Sequence, residues 1–306
     1  MRFLFVGYGS IAKRHIENLT ALFCEHEEGL AIDLLRHANS DALLGIDHVF
    51  TSFDEINMQY DAVFITNPTS MHYETLAGCL DLSDFFFLEK PAFDRTDYDV
   101  GVLELSGKTV YVACPLRYTR VIDWLHENFD FSKANALRVI SSSYLPDWRP
   151  GIDYRDTYSA HASQGGGVSI DLIHEWDYVH HLVGAPERVL SVVGKCSDLE
   201  IDADDYAVYI GEYSDMILEM HLDYFGRKAL RRLEIMTSED TVVCDLLQGS
   251  IEWLCSGEKL MFEDSRNGFQ QRELEHFFDI MSGKIENDND LNMALRTLEL
   301  AKGIYE

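Results

Sequence analysis

The sequence predicts an α/β protein. Residues 1–116 read as an open parallel sheet flanked by helices, and residues 117–306 as an α+β part with an open, mainly antiparallel sheet. Three observations carry this. The chain opens on a strand, a glycine turn and a helix. Short unbroken apolar runs then recur through the first hundred residues, as strands buried on both faces require. Later the apolar residues alternate with polar ones instead, as in half-buried antiparallel strands.

Composition narrows the class. A chain of 306 residues has room for two domains and a sizeable core. Its 25 Lys+Arg against 53 Asp+Glu leave a formal charge of −28. With 46% apolar and 12% aromatic residues it is not a disordered acidic chain. The charge speaks against nucleic acid or an anionic membrane as partner, because both need clustered basic surface. The six cysteines stand singly, with no C-x-x-C pair, so no zinc ribbon or other metal site is expected, and a reducing, cytoplasmic setting fits. The apolar runs are strand-length, too short to span a bilayer, and the one at residues 3–6 is too short for a signal peptide.

The elements follow in order. Residues 3–6 form the first strand. Gly7-Tyr8-Gly9-Ser10-Ile11-Ala12 comes next, and Ile11, His15, Leu19 and Leu22 then recur at helical spacing. This is the strand–turn–helix setting that gives G-x-G-x-x-A a meaning. Gly7 permits the tight turn, Gly9 lets backbone approach a pyrophosphate, and Ala12 lets helix and strand pack closely. The amides opening the helix then face the anion. This reads as a Rossmann dinucleotide-binding domain. The second strand, residues 31–35, runs into Arg36, where an acidic residue would bind the ribose hydroxyls of NAD. A cation there, with Lys13 and Arg14 nearby, suits the 2′-phosphate of NADP. A solvated surface arginine is the alternative.

Residues 49–53 and 62–66 are further strands. The second ends in Thr66-Asn67-Pro68-Thr69-Ser70-Met71-His72, which should border the cofactor, since ligands sit at the carboxyl ends of parallel strands. Residues 85–88 run into Glu89-Lys90-Pro91, an ammonium at another strand end. Residues 110–113 close this half.

Taken together, Gly7-Tyr8-Gly9-Ser10-Ile11-Ala12, Asn67-Pro68-Thr69-Ser70-Met71-His72 and Glu89-Lys90-Pro91 resemble the Gfo/Idh/MocA oxidoreductases, relatives of glucose–fructose oxidoreductase and inositol dehydrogenase. The resemblance runs nearly the whole chain. It implies hydride transfer between NAD(P) and a sugar, polyol or related carbonyl compound. It also implies homodimers or homotetramers formed through the second sheet. The implied cofactor contacts are Gly7, Tyr8, Gly9, Ser10, Ile11, Arg36, Thr66, Asn67, Pro68, His72, Glu89 and Lys90.

The second half reads consistently. Residues 137–143 are strand-like. A long aromatic and polar loop follows, with Tyr144, Trp148, Arg155 and Tyr158. Such a mixture can stack on a sugar ring and hold an anion, so these four and Arg117 are candidate substrate contacts. The alternative is a loop folded over the sheet edge. The stretch resembles a subgroup associated with bacterial surface-polysaccharide sugars, which implies a nucleotide or acidic sugar.

Gly165-Gly166-Gly167 then leads into a helical pattern through residue 183. Asp171, His174 and Asp177 are spaced by three, which places them on one face. A histidine flanked by carboxylates suits a general base near neutral pH. A capping Asp171 and an interior His174 are the alternative, and the family resemblance favours the catalytic one, with Lys90, His174 and Asp171 as the catalytic set. Many family members place the aspartate four residues before the histidine, whereas here the spacing is three. His174-Glu175 also begins the H-E-x-x-H zinc pattern, but Tyr178 stands at the second ligand position. Strands at 216–222, 233–236, 241–246 and 251–254, and helices at 269–281 and 291–305, complete the reading.

In the expected oxidation, His174 takes the hydroxyl proton while Lys90 holds the oxygen. Two other readings use the same fold: a non-catalytic dinucleotide-binding regulator, which needs neither residue, and a cofactor-assisted hydrolase or eliminase.

Overall fold

A computed structural model describes residues 1–24, 29–36 and 45–305. The chain divides into two compact units, the first comprising Met1–Pro115 with Arg266–Leu295, the second Leu116–Ser265 with Arg296–Glu306.

The first unit begins with β1 (Arg2–Val6), α1 (Ser10–Phe23), β2 (Ala31–Leu35), β3 (His48–Phe50) and β4 (Ala62–Ile65). It continues with α2 (His72–Cys79), β5 (Phe85–Leu88) and β6 (Thr109–Val112). The strands form one parallel sheet in the order β3-β2-β1-β4-β5-β6. Strand order therefore reverses between β1 and β4, and a crevice opens at their carboxyl ends. The expected strand at 49–53 stops earlier because Ser52 starts a short 3-10 turn, its hydroxyl accepting the Asp54 amide.

Alternation along each strand feeds two cores. Phe3 and Phe5 face one side and Leu4 and Val6 the other, all of them buried. On the Phe side, Phe5 stacks on Phe64 at 4.6 Å and Phe64 on Phe87 at 4.8 Å, each pair contributing about 0.5–1.5 kcal/mol beyond burial. Buried Asp33 interrupts the apolar pattern of β2. It accepts from the Tyr60 hydroxyl at 3.0 Å and lies 2.9 Å from His48 Nδ1.

The second unit contains α3 (Arg120–Asn128), β7 (Ala134–Tyr144), α4 (Val168–Asp171), α5 (His174–Val183), β8 (Arg188–Gly194), β9 (Tyr206–Glu212) and β10 (Ile217–Asp223). It ends with β11 (Phe225–Thr237), β12 (Thr241–Asp245), β13 (Ser250–Trp253) and β14 (Lys259–Met261). The sheet order is β14-β13-β12-β11-β7-β10-β9-β8. Every pairing is antiparallel except β7 with β10, so the sheet is mixed but mainly antiparallel.

Beyond this sheet the chain forms α6 (Arg266–Met281), whose Leu274, Phe277 and Ile280 join the Phe-side core of the first unit, and α7 (Leu291–Lys302). Among the described residues no helix is long and apolar enough to cross a membrane.

One expectation is corrected. The helix read through residues 168–183 is broken: Leu172 leaves helical geometry at φ −97°, ψ 28°, and α5 starts afresh at His174. The spacing of three between Asp171 and His174 therefore does not put them on one continuous helix face.

Candidate active site

The crevice at the strand ends of the first unit holds a cleft of about 320 Å³. Its walls are the turn after β1 (Gly7, Tyr8), Arg36 after β2, residues 51–53 after β3, and Asn67, Pro68 and Met71 after β4. The two glycines of the turn serve different ends. Gly7 has φ +97°, and a Cβ there would lie 2.7 Å from Asn67 backbone atoms. Gly9 caps α1 with no side-chain bond, and a Cβ there would meet nothing within 4 Å. The start of α1 thus has no side-chain cap and leaves room beside Gly9, which suits a pyrophosphate on its opening amides. Ser10 and Ile11 begin the helix.

Two cations converge on Tyr8, with Lys13 Nζ 5.1 Å and the Arg36 guanidinium 5.9 Å from its ring centroid. Thr51, Ser52 and Phe53 escaped the sequence reading. The strand-end rule applied to β3 would have found them.

Other expected contacts hold the cleft together from behind. The Thr66 hydroxyl donates to the Val6 and Gly7 carbonyls, at 3.1 and 3.2 Å. The Asn67 amide donates to the Thr75 hydroxyl at 2.7 Å. His72 is 1% exposed and lies among carbonyls, with Nδ1 3.1 Å from both Pro91 and Ala92 and Nε2 3.0 Å from Asn67. Burial lowers its pKa, against the raising effect of those carbonyls and of Glu89. The structure places His72 as an interior staple rather than as a surface offered to a ligand.

Glu89 is tied down too. Its Oε1 lies 2.6 Å from Nε2 of fully buried His15, which joins the end of β5 to α1. No sequence pattern marks His15 beyond its place on the buried face. Half-buried Lys90 follows, and the Lys90–Pro91 bond is cis. Lys90 thus sits between two fixed points, Glu89 on His15 and Pro91 on His72.

In the second unit, half-buried His174 is the first residue of α5. The next turn of that helix is pinned by two ion pairs. Fully buried Glu175 accepts from Arg231 of β11 at 2.7 Å. Asp177 takes Arg117 Nε and Nη2 at 2.9 and 2.6 Å, with both side chains almost wholly buried. Arg117 was expected to touch substrate. Buried at 2% exposure and held bidentately, it positions α5 instead.

The Asp171 carboxylate goes to two phenols, accepting from Tyr158 at 2.7 Å and Tyr224 at 2.6 Å. Burial first, and the negative charge of Asp171 second, raise the pKa of both hydroxyls. Asp171 thereby fastens the long loop to the β10–β11 junction. The glycine run explains how the loop arrives: a Cβ on Gly166 would lie 2.1 Å from the Tyr158 carbonyl, and one on Gly167 2.3 Å from Asp204 Oδ1.

The other expected substrate contacts are dispersed. Trp148 donates to the Ser143 hydroxyl at 2.9 Å and meets Tyr224 edge-on. Arg155 is shared between Asp153 and Glu200, at 2.6 and 2.7 Å, and holds the Asp153 carboxyl down at about 2. Tyr144 lies instead under Arg227, whose guanidinium is 3.9 Å from its ring centroid.

Comparison with known proteins fits this geometry. Residues 1–99 match the oxidoreductase family with an NAD-binding Rossmann fold, and residues 135–243 match the GFO/IDH/MocA C-terminal domain. An uncharacterized oxidoreductase, YrbE of Bacillus subtilis, is 23% identical over 59% of this chain and 53% of its own length. Myo-inositol 2-dehydrogenase of Thermotoga maritima is 25% identical over 60% of this chain and 55% of its own. The match thus spans about half the length of these curated relatives. Among solved structures, an oxidoreductase from Thermotoga maritima superposes with a TM-score of 0.81 at 20% identity, covering 100% of this chain and 96% of the other. UDP-N-acetylglucosamine 3-dehydrogenase GnnA from Acidithiobacillus ferrooxidans gives 0.77 at 18%, with 100% and 96% covered. The WlbA dehydrogenase from Bordetella pertussis, in complex with NADH and UDP-GlcNAcA, gives 0.77 at 18%, with 100% and 95% covered. With matches across more than half of its length, in both the Rossmann and the C-terminal region, this chain belongs to the GFO/IDH/MocA oxidoreductase family.

Proposed function

We propose that the protein is an NAD(P)-dependent dehydrogenase or reductase acting on a CH–OH carbon of a sugar, nucleotide sugar or polyol. The observation that carries this reading is the cradle at the start of α1. Gly9 leaves room beside a helix start with no side-chain cap, and Tyr8, Lys13 and Arg36 stand beside it. Gly7, Tyr8, Arg36, Asn67 and Pro68 would hold the dinucleotide along the cleft. The bound nicotinamide would supply the two-electron acceptor or donor.

The chain's own residues do the rest. The Lys90 ammonium holds the substrate oxygen and stabilises negative charge as it develops there. His174 takes the hydroxyl proton in oxidation and returns it in reduction. Asp171, bonded to Tyr158 and Tyr224, is a positioning residue that fixes the loop beside α4. The paired cations at Tyr8 favour NADP over NAD. Nucleotide sugars enter as a substrate class because GnnA is named a UDP-N-acetylglucosamine 3-dehydrogenase and WlbA was solved in complex with UDP-GlcNAcA. Leu190 and Val192 on β8, 49% and 61% exposed, would be covered by a second copy in a homodimer or homotetramer.

Titration with NADP and NAD, followed by a screen of sugar nucleotides and polyols for reduced nicotinamide, tests the reading. NADP should bind more tightly, and at least one carbohydrate should drive reduction. Tighter binding of NAD contradicts the role of Arg36. Turnover without a change in nicotinamide absorbance contradicts hydride transfer.

A further inference from the structure

A second cleft, of about 380 Å³, lies within the second unit. Tyr144 at the end of β7, Phe225 and Arg227 at the start of β11, Tyr154, and Ser197 with Asp198 line it. Its volume falls in the range of small-molecule sites.

The walls are fixed. Fully buried Asp205 accepts from the Cys196 and Ser197 amides, at 2.8 and 3.0 Å, and from the Ser197 hydroxyl. The Tyr154 hydroxyl oxygen accepts from the Glu200 amide at 3.1 Å. The guanidinium of exposed Arg227 lies over the Tyr144 ring at 3.9 Å from its centroid, yet among the described residues it has no hydrogen bond or ion pair. In a chain with 53 acidic residues, a cation held on an aromatic face without a carboxylate is poised for an anion from outside.

The remaining walls say what that anion is attached to. Asp198 repels a second negative charge but accepts hydrogen bonds from hydroxyls. Tyr144 and Phe225 offer apolar faces to a ring. A neutral sugar has no use for Arg227, and a polyphosphate meets Asp198 unfavourably. We propose that this cleft binds a phosphorylated sugar, with the phosphate on Arg227 and the hydroxyls on Asp198 and Ser197. The inference rests on the reading of this protein as acting on carbohydrates. It deepens that reading by placing a substrate phosphate in the second unit.

The test is calorimetric titration of the full chain with glucose, glucose 1-phosphate and UDP-glucose. It compares wild type with Arg227→Ala, Arg227→Lys and Asp198→Asn. Glucose 1-phosphate should bind, and glucose much more weakly. Arg227→Ala should weaken that binding about tenfold or more, as loss of a charge-assisted hydrogen bond does, with Arg227→Lys restoring part of it. Asp198→Asn should also weaken it, and NADP affinity should be unchanged in all three. Binding of both phosphorylated probes means the sugar phosphate suffices. Binding of UDP-glucose without glucose 1-phosphate overturns the proposal, because a diphosphate is what Asp198 should disfavour. The proposal is equally overturned if neither binds, or if Arg227→Ala binds like wild type. Arg227-dependent binding with no carbohydrate-driven nicotinamide reduction refutes the oxidoreductase reading but not the cleft. Reduction with unchanged KM in Arg227→Ala refutes the cleft but not the oxidoreductase.

Discussion

Two glycines two residues apart separate folding from binding. Gly7 is required by the protein itself, since a side chain there meets Asn67 backbone and a positive φ. Among the described residues nothing lies within 4 Å of where a Gly9 Cβ would sit. Gly7→Ala should destabilise the chain by about 1–3 kcal/mol from backbone strain alone, seen as a lower denaturant midpoint. Gly9→Ala should leave stability unchanged and weaken dinucleotide binding about tenfold or more. Equal effects of the two on stability would contradict the distinction. The motif was legible because its function fixes residue types at fixed offsets. His72 was legible as part of a motif but not in its role, because its three carbonyl partners come from segments that sequence alone does not bring together. Its lowered pKa gives a sign that can be checked. The unfolded chain binds the proton more readily, so His72 supports stability above about pH 6.5 and that support is lost as pH falls through the folded value. Denaturation from pH 7 to 5 should show a shallower loss in His72→Gln than in wild type. Equal slopes would place the titration elsewhere.

At the scale of elements, the strands of the first unit were read nearly residue by residue. Residues 31–35 and 85–88 coincide with β2 and β5, because a parallel strand buried on both faces leaves an apolar run, unbroken in β5 and interrupted in β2 by Asp33. The strand ends shift where local polar groups decide, as Ser52 does after β3. β8 and β9 went unread, and β8 has a physical reason: Leu190, Val192 and Val193 are exposed on a sheet edge, so its pattern is not that of a buried strand. The break before α5 was illegible too. Apolar spacing continues across Leu172 and Ile173, although Leu172 leaves helical geometry just after Asp171, which is held to Tyr158 and Tyr224. The anchoring of α5 by Arg117–Asp177 is an interior ion pair, and removing one member strands the other. Arg117→Ala or Asp177→Asn should cost about 3–5 kcal/mol in chemical denaturation. A cost below 1 kcal/mol would contradict the burial of the pair.

Across the whole molecule, the charge of −28 describes the surface more than the ligands. The expected cationic lining is divided. Arg117 and Arg155 are engaged by carboxylates of the protein, and Lys13 and Arg36 stand at the Tyr8 ring in the cleft. A sequence counts cations but does not say which ones the fold neutralises. For the same reason Arg227, left without a carboxylate partner among the described residues, escaped the reading while Arg117 was overvalued. The central claim is that Lys90 and His174 carry the chemistry and the glycine turn carries the cofactor. Its most direct test measures reduced nicotinamide produced from the active carbohydrate by wild type, Lys90→Ala and His174→Ala, alongside NADP affinity. Each variant should lose about 100-fold or more in turnover while still binding NADP. Turnover near wild type in both variants would contradict the account.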